Sequence, residues 1–289
     1  MKSTSGQFKT GGTAKESDGG ASWTASVNYT SPVGLIPYVT FSKQTTTIAG
    51  QGAEISTGNV AAKTFLSTSE MSEFGVKGSF FDDRLYFAAT KYEQERTDYN
   101  AQSITVNQAV QTKGFEAEMR WAATEKLLLT ANYTKTKVYN LTAIEDGTLF
   151  SFFGIEDLIN VSHPTLYLGG QPIGLIPIVT KGDARRAGIP EDVYSGTATY
   201  AFENGLSLSA TASHADSVYS GQSKAVKLPD YTVVDLGATY ELGNWLFRGT
   251  VKNAFDEKYF RANFTELFGS TIVLPEAPRS FAVTAIYKF

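Results

Sequence analysis

The 289-residue sequence has no cysteine, which excludes disulfide staples, a thiol nucleophile and cysteine-ligated metal. Histidine is nearly as scarce. His163 and His214 lie far apart, without metal-ligand spacing. A basic excess is also missing: Lys and Arg number 25 against 29 Asp and Glu, a net charge of −4. That balance lacks the basic stripe of a nucleic-acid binder. The uncharged run "LINVSHPTLYLGGQPIGLIPIVT" carries three prolines and the pair Gly169-Gly170, so it cannot be a spanning helix. Residues 1–20 lack the apolar centre of an export signal. Phosphate-loop, zinc-protease and nucleophile-elbow patterns are absent; "GQSKA" (221–225) is one residue short of an elbow and lies in a polar stretch. No cofactor and no enzymatic activity are expected.

What the chain does contain is strand material. Aromatics make up 13% of the residues, with many Thr, Ser and Val residues beside them. The dominant hydrophobic period is two. It runs through Trp23-Ala25-Val27-Tyr29, Phe74-Val76-Gly78-Phe80, Phe115-Ala117-Met119-Trp121 and Leu127-Leu129-Ala131-Tyr133. It continues through 194–202, 206–212, 234–240, 245–251 and 281–289. With 35–43 and 84–96 this gives about eleven strands of roughly 9–13 residues, the length a membrane-spanning strand needs. Residues 1–20 are too rich in Gly and Lys to supply another.

The connections alternate. "SPVG" (31–34), "DDR" (82–84), "ATEK" (123–126), "ENG" (203–205) and "LGN" (242–244) are tight. Between them lie long polar stretches at about 44–70, 97–110, 139–190, 218–229 and 256–278. Short turns on one side and long loops on the other are the habit of an outer-membrane barrel. Tyr29, Phe80, Phe81, Trp121, Phe202, Tyr240, Trp245 and the terminal Phe289 all fall beside the short turns, as an interfacial aromatic girdle requires. Glu73, Lys77, Glu116, Glu118, Arg120, Asp235, Arg248 and Lys252 share the opposite phase and are expected to line a polar lumen. Lys91 breaks the scheme. It continues the apolar phase of Leu85, Phe87 and Ala89 and has to snorkel towards the rim.

The final strand ends at the short-turn side, so counting back places residues 1–20 on the long-loop side. Whole barrels have an even strand number and both ends on the periplasmic side. The expectation is therefore an antiparallel transmembrane β-barrel that is open as given, with its last strand an exposed hydrophobic edge.

The stretches "SEFGVKGSFFDDRLYFAATKYEQERTD", "QTKGFEAEMRWAATEKLLLTANYTKTKV", "LPDYTVVDLGATYEL", "VKNAFDEKYF" and "PRSFAVTAIYKF" resemble, in order and spacing, the strands of TonB-dependent outer-membrane receptors of the ferric-siderophore type. The resemblance covers roughly 22–43, 70–138 and 190–289. It implies that residues 1–289 are the C-terminal half of a plugged barrel of about 22 strands, without plug or energy-coupling segment. It implies a bacterial outer-membrane location, outer-membrane lipid and an iron chelate as partners, and TonB coupling only through a missing N-terminal part. It also implies recognition of Phe289 by the barrel-assembly machinery. The loop 139–190 carries the ligand-binding candidates Phe150, Phe152, Phe153, Arg185 and Arg186: rings to pack on a chelator and guanidinium groups to pair with an anionic one. The alternatives are a porin-like diffusion channel and, further off, a soluble all-β binding protein.

Overall fold

The computed structural model describes residues 2–6, 13–48, 55, 57–99, 107–140, 166–168, 171–173, 185–219, 227–263 and 272–289. Eleven strands form one antiparallel sheet: β1 (Trp23–Asn28), β2 (Leu35–Thr47), β3 (Leu66–Phe80), β4 (Leu85–Tyr99), β5 (Asn107–Ala122), β6 (Leu127–Asn140), β7 (Asp192–Ala201), β8 (Leu206–Ala215), β9 (Tyr231–Leu242), β10 (Trp245–Lys252) and β11 (Ser280–Tyr287). Every strand pairs with its predecessor and successor in this series, so the sheet is an unbroken meander. It is not closed. β1 and β11 are its two edges.

The tight connections fall where the sequence puts them. Between β3 and β4 the chain turns through Phe81, Asp82 and Asp83, all with left-handed φ (57°, 55° and 62°), and closes with Arg84 N–H donating to the Phe81 carbonyl at 3.2 Å. Aspartate tolerates that backbone region better than most residues. Gly205 (φ 83°) turns β7 into β8, and its N–H donates to Phe202 at 3.4 Å.

At the long-loop end the strands exceed expectation. β3 to β6 run to 15, 15, 16 and 14 residues. The apolar alternation stops where the sequence reading ended them, but the ladder continues on polar pairs such as Thr45 with Thr68 and Gln111 with Glu95. Backbone pairing needs no apolar face once both sides are wet. Residues 1–20 also depart from expectation, because Lys2–Gly6 and Thr13–Ser17 form a separate two-stranded ribbon. Further ribbons, Val218–Tyr219 with Lys227–Leu228 and Phe260–Asn263 with Ile272–Pro275, extend long connections.

There is almost no ordinary core among the described residues. Among the described residues the buried hydrophobics are Ile48, Val60, Phe65, Val110, Val138, Ala187, Ala215 and Leu228, all at the long-loop end. Along the sheet large apolar side chains lie open, with Val27 70%, Phe74 54% and Val283 83% exposed. In water such a face is an association surface. In hydrocarbon it is the normal exterior of a barrel.

Candidate functional site: the charged sheet face and the loop end

The register assigns every strand residue to a face. Leu35, Val76, Ala89, Ala117 and Tyr133 share the apolar face, whereas Glu73, Lys77, Glu116, Glu118 and Arg120 share the other. Asp235, Arg248 and Lys252 lie on that second face too. Asp235 accepts from Lys252 Nζ at 2.7 Å and from the Asn253 N–H at 2.8 Å. Glu73, Lys77, Glu116, Glu118, Arg120 and Arg248 make no ion pair within 4.0 Å among the described residues. The Lys77 ammonium instead stands 5.7 Å from the centre of the Tyr38 ring. Glu118 faces the Tyr86 hydroxyl, and Glu73 faces that of Tyr38.

Tyrosines order this wall in a way the sequence pattern did not reveal. Tyr38 of β2 lies across Gly75 of β3 and reaches Thr90 of β4, O to O 2.7 Å. Tyr92 of β4 repeats the device across Gly114 to Thr136 of β6 at 3.2 Å. A Cβ on Gly75 or Gly114 would meet the ring at 2.4 or 2.3 Å, so glycine is required by the close approach. The signal is a tyrosine opposite a glycine, and it is legible only once the register is known.

Tyr29, Phe80, Trp121, Phe202, Tyr240, Trp245 and Phe289 sit at the short-turn end. There Trp245 packs on Tyr287 (4.9 Å between centroids) and Tyr287 on Phe289 (5.2 Å). A second aromatic row, missed in the sequence reading, crosses the same face near the long-loop end. Phe41 meets Phe74 edge-on at 6.1 Å, Phe115 meets Tyr133 at 6.1 Å, and Tyr194 stacks on His214 at 4.5 Å. Its signal was available: Phe74 and Phe80, like Phe115 and Trp121, are six residues apart on one face, about 20 Å along a strand.

Of the loop candidates, Phe150, Phe152 and Phe153 lie outside the described residues. Arg185 and Arg186 take different positions. Arg185 forms a bridge with Tyr139 at the end of β6, and its Nη1 lies 2.9 Å from Glu191 Oε2. Glu191 also receives Lys137 at 2.9 Å and Lys135 at 3.2 Å. Lys137 in particular, aided by Lys135 and Arg185 and opposed by partial burial, holds the Glu191 carboxyl below the usual carboxylate range. Arg185 thus anchors the returning loop to the outside of the wall. Arg186, whose N–H donates to the Val138 carbonyl at 2.8 Å, lines a cavity of about 190 Å³ with Gly188, Tyr219 and Lys227. No group of metal-ligating side chains occurs among the described residues.

At the base of the last long connection Asn253, buried with φ 49°, donates from Nδ2 to the carbonyls of Glu257 (2.9 Å) and Ala277 (3.3 Å). Its side-chain oxygen accepts from the Glu257 N–H at 2.8 Å. Arg279 N–H donates to Asp256 at 2.9 Å. These bonds join the two ends of the loop immediately above β10 and β11.

Solved structures place this architecture. The siderophore receptor PiuA from Acinetobacter baumannii is 18% identical, with a TM-score of 0.67 over 97% of this chain and 37% of that one. The ferric yersiniabactin uptake receptor FyuA from Yersinia pestis is 12% identical, with a TM-score of 0.67 over 100% of this chain and 41% of that one. The ferripyoverdine receptor of the Pseudomonas aeruginosa outer membrane, bound to ferripyoverdine, is 17% identical, with a TM-score of 0.63 over 96% and 34%. The chain therefore spans well under half the length of these receptors, and at these identities the likeness is one of fold. No curated protein matches the sequence. The family described as TonB dependent receptor-like, beta-barrel matches residues 2–254, so the chain belongs to that family of receptor barrels.

Proposed function

We propose that this chain forms the C-terminal part of the barrel of a bacterial outer-membrane receptor that takes up a ferric chelate with TonB-relayed energy. The observation that carries the reading is the two-faced eleven-stranded sheet within a receptor-barrel family: an exposed apolar face between aromatic rows, and a charged face opposite. The charged face is the lumen wall. Glu73, Lys77, Glu116, Glu118 and Arg120, which make no ion pair among the described residues, are satisfied by neighbouring tyrosines, by water and by the polar surface of a plug within the barrel. Arg186 and Lys227, which line the 190 Å³ cavity, face the anionic side of the chelate. Phe150, Phe152 and Phe153 remain its candidate aromatic contacts.

Closure follows from strand direction. β1 and β11 both run towards the short-turn end, since each follows a long connection or faces one. Joined to each other, or to the edges of a second copy inserted in the same direction, they would pair in parallel. An antiparallel closure needs an odd number of additional strands, and the remainder of a barrel of about 22 is odd.

The test is uptake of radiolabelled iron by cells with and without the gene, across a panel of ferric chelates. Loss of energy-dependent uptake of at least one chelate is expected. The porin-like alternative predicts passage of small solutes without energy and no chelate preference, and that result would contradict the proposal.

A further inference from the structure

On the apolar face, at the long-loop end of β4 to β6, the sheet gathers ammonium groups in an arrangement that its own folding does not favour. Lys113 of β5 stands directly opposite Lys137 of β6. Lys91 of β4 is diagonal to Lys113, because Lys91 pairs with Phe115 and Lys113 with Glu93. Like charges directly opposite each other destabilise a sheet, and diagonal neighbours lie within about 7–8 Å. Carboxylates answer part of this charge. Glu93 is 3.2 Å from Lys113, Glu191 is 2.9 Å from Lys137, and Asp192 is 2.9 Å from Lys135.

Lys91 is left over. It is exposed, set in register between Phe74 and Phe115, and makes no ion pair among the described residues. The carboxylate two residues along its own face, Glu93, is held by Lys113 and by Gln111 Nε2 at 2.7 Å. Glu95, the next, accepts from the same Gln111 nitrogen at 2.8 Å. A lysine on a lipid-facing wall is destabilising, most of all at mid-bilayer. A lysine there gains by turning its ammonium towards the rim, and Lys91 makes no ion pair there among the described residues.

Beside this patch the same face is hollow. A groove of about 520 Å³ crosses β4 to β9, lined by Ala117, Ala131, Gly196 and Ala212 and, towards the long-loop end, by Tyr133, Tyr194 and His214. Its small lining residues leave room between the aromatic rows for a hydrocarbon chain. Immediately beyond the two tyrosines on the same face come Lys135 and Asp192.

We propose that Lys91 and Lys113, with Lys137 beside them, bind the phosphate headgroup of a membrane lipid, one acyl chain of which lies in the adjoining groove. The two halves of the site answer the two halves of one molecule. An ammonium with no ion pair among the described residues and a like-charged pair both gain an anion, and the groove gains apolar contact. This rests on the apolar face meeting lipid.

The experiment uses the intact receptor carrying this chain, purified in non-ionic detergent. Native mass spectrometry follows lipid retained from mixed micelles of phosphatidic acid or of diacylglycerol with identical chains. Phosphatidic acid is expected to be retained preferentially. Lys91→Gln and Lys113→Gln are each expected to weaken its binding about tenfold, the scale of one hydrogen bond between ionised partners. Lys91→Arg should keep the affinity, and Lys288→Gln at the opposite rim should change nothing. Unfolding midpoints of the variants separate lost binding from lost folding. Equal retention of the two lipids, full affinity in the double variant Lys91→Gln/Lys113→Gln, or displacement by equimolar inorganic phosphate would each overturn the site. Retention of neither lipid, together with a monodisperse protein after detergent removal, would overturn the membrane reading beneath it.

Discussion

Gly114 has no side chain because the Tyr92 ring occupies the space where one would stand. Replacing it with valine moves the ring and breaks the Tyr92–Thr136 hydrogen bond across β5. The expected loss is about 1–3 kcal/mol, as for other overpacked sites. Gly249→Ala, whose Cβ meets nothing within 4 Å, should be close to neutral. Unfolding midpoints in detergent compare the two. Asn253→Ala removes three side-chain hydrogen bonds from a buried site and leaves a left-handed backbone without the residue that suits it. A loss of about 1–3 kcal/mol is expected, with faster hydrogen exchange over 254–259. The sequence marked both residues only as parts of stretches resembling a family. The reason for glycine at 114 lies in a tyrosine more than twenty positions away in the chain but next to it in the sheet, and one-dimensional periodicity cannot show that.

Among the elements, the strands of the apolar band were the most legible, because period two and tight turns are local properties. The segments beyond the band were least so. Where both faces are polar the alternation disappears although the ladder persists, as in β3 to β6. The return of the longest connection was equally hidden. It depends on Glu191 collecting Lys135, Lys137 and Arg185. Of the five ligand candidates, sequence placed Arg185 and Arg186 side by side, and the fold sends one to this ion cluster and the other to a cavity. The cluster has a pH signature. The folded Glu191 pKa is depressed by Lys137 first, so the unfolded carboxyl titrates above the folded one. The stabilisation is complete above the ordinary carboxylate pKa of about 4.3 and is lost as pH falls through the lower folded value. Proteolysis of the 185–191 segment is expected to accelerate only below about pH 4, and Glu191→Gln should make it fast already at neutral pH. Unchanged cleavage at low pH would contradict the assigned anchor.

For the whole molecule, an apolar exterior and two same-direction edges have one consequence in water. The chain alone, without detergent or closing strands, is expected to associate through β1, β11 and the face between them, and light scattering reports this. The barrel class was readable from alternating turn lengths and the short-turn girdle, because both are imposed by the bilayer itself. What fills and covers the barrel was not readable, since that depends on side chains with no periodic order. The central claim is that the apolar face meets lipid and the charged face meets water. A chain without cysteine allows a direct measurement. Single cysteines at positions 115 to 121 of the receptor in membranes are spin-labelled and exposed to oxygen, which partitions into lipid, and to a water-soluble nickel chelate. Strict alternation is expected, with oxygen favoured at 115, 117, 119 and 121 and nickel at 116, 118 and 120. A uniform profile, or nickel access at the odd positions, would contradict it.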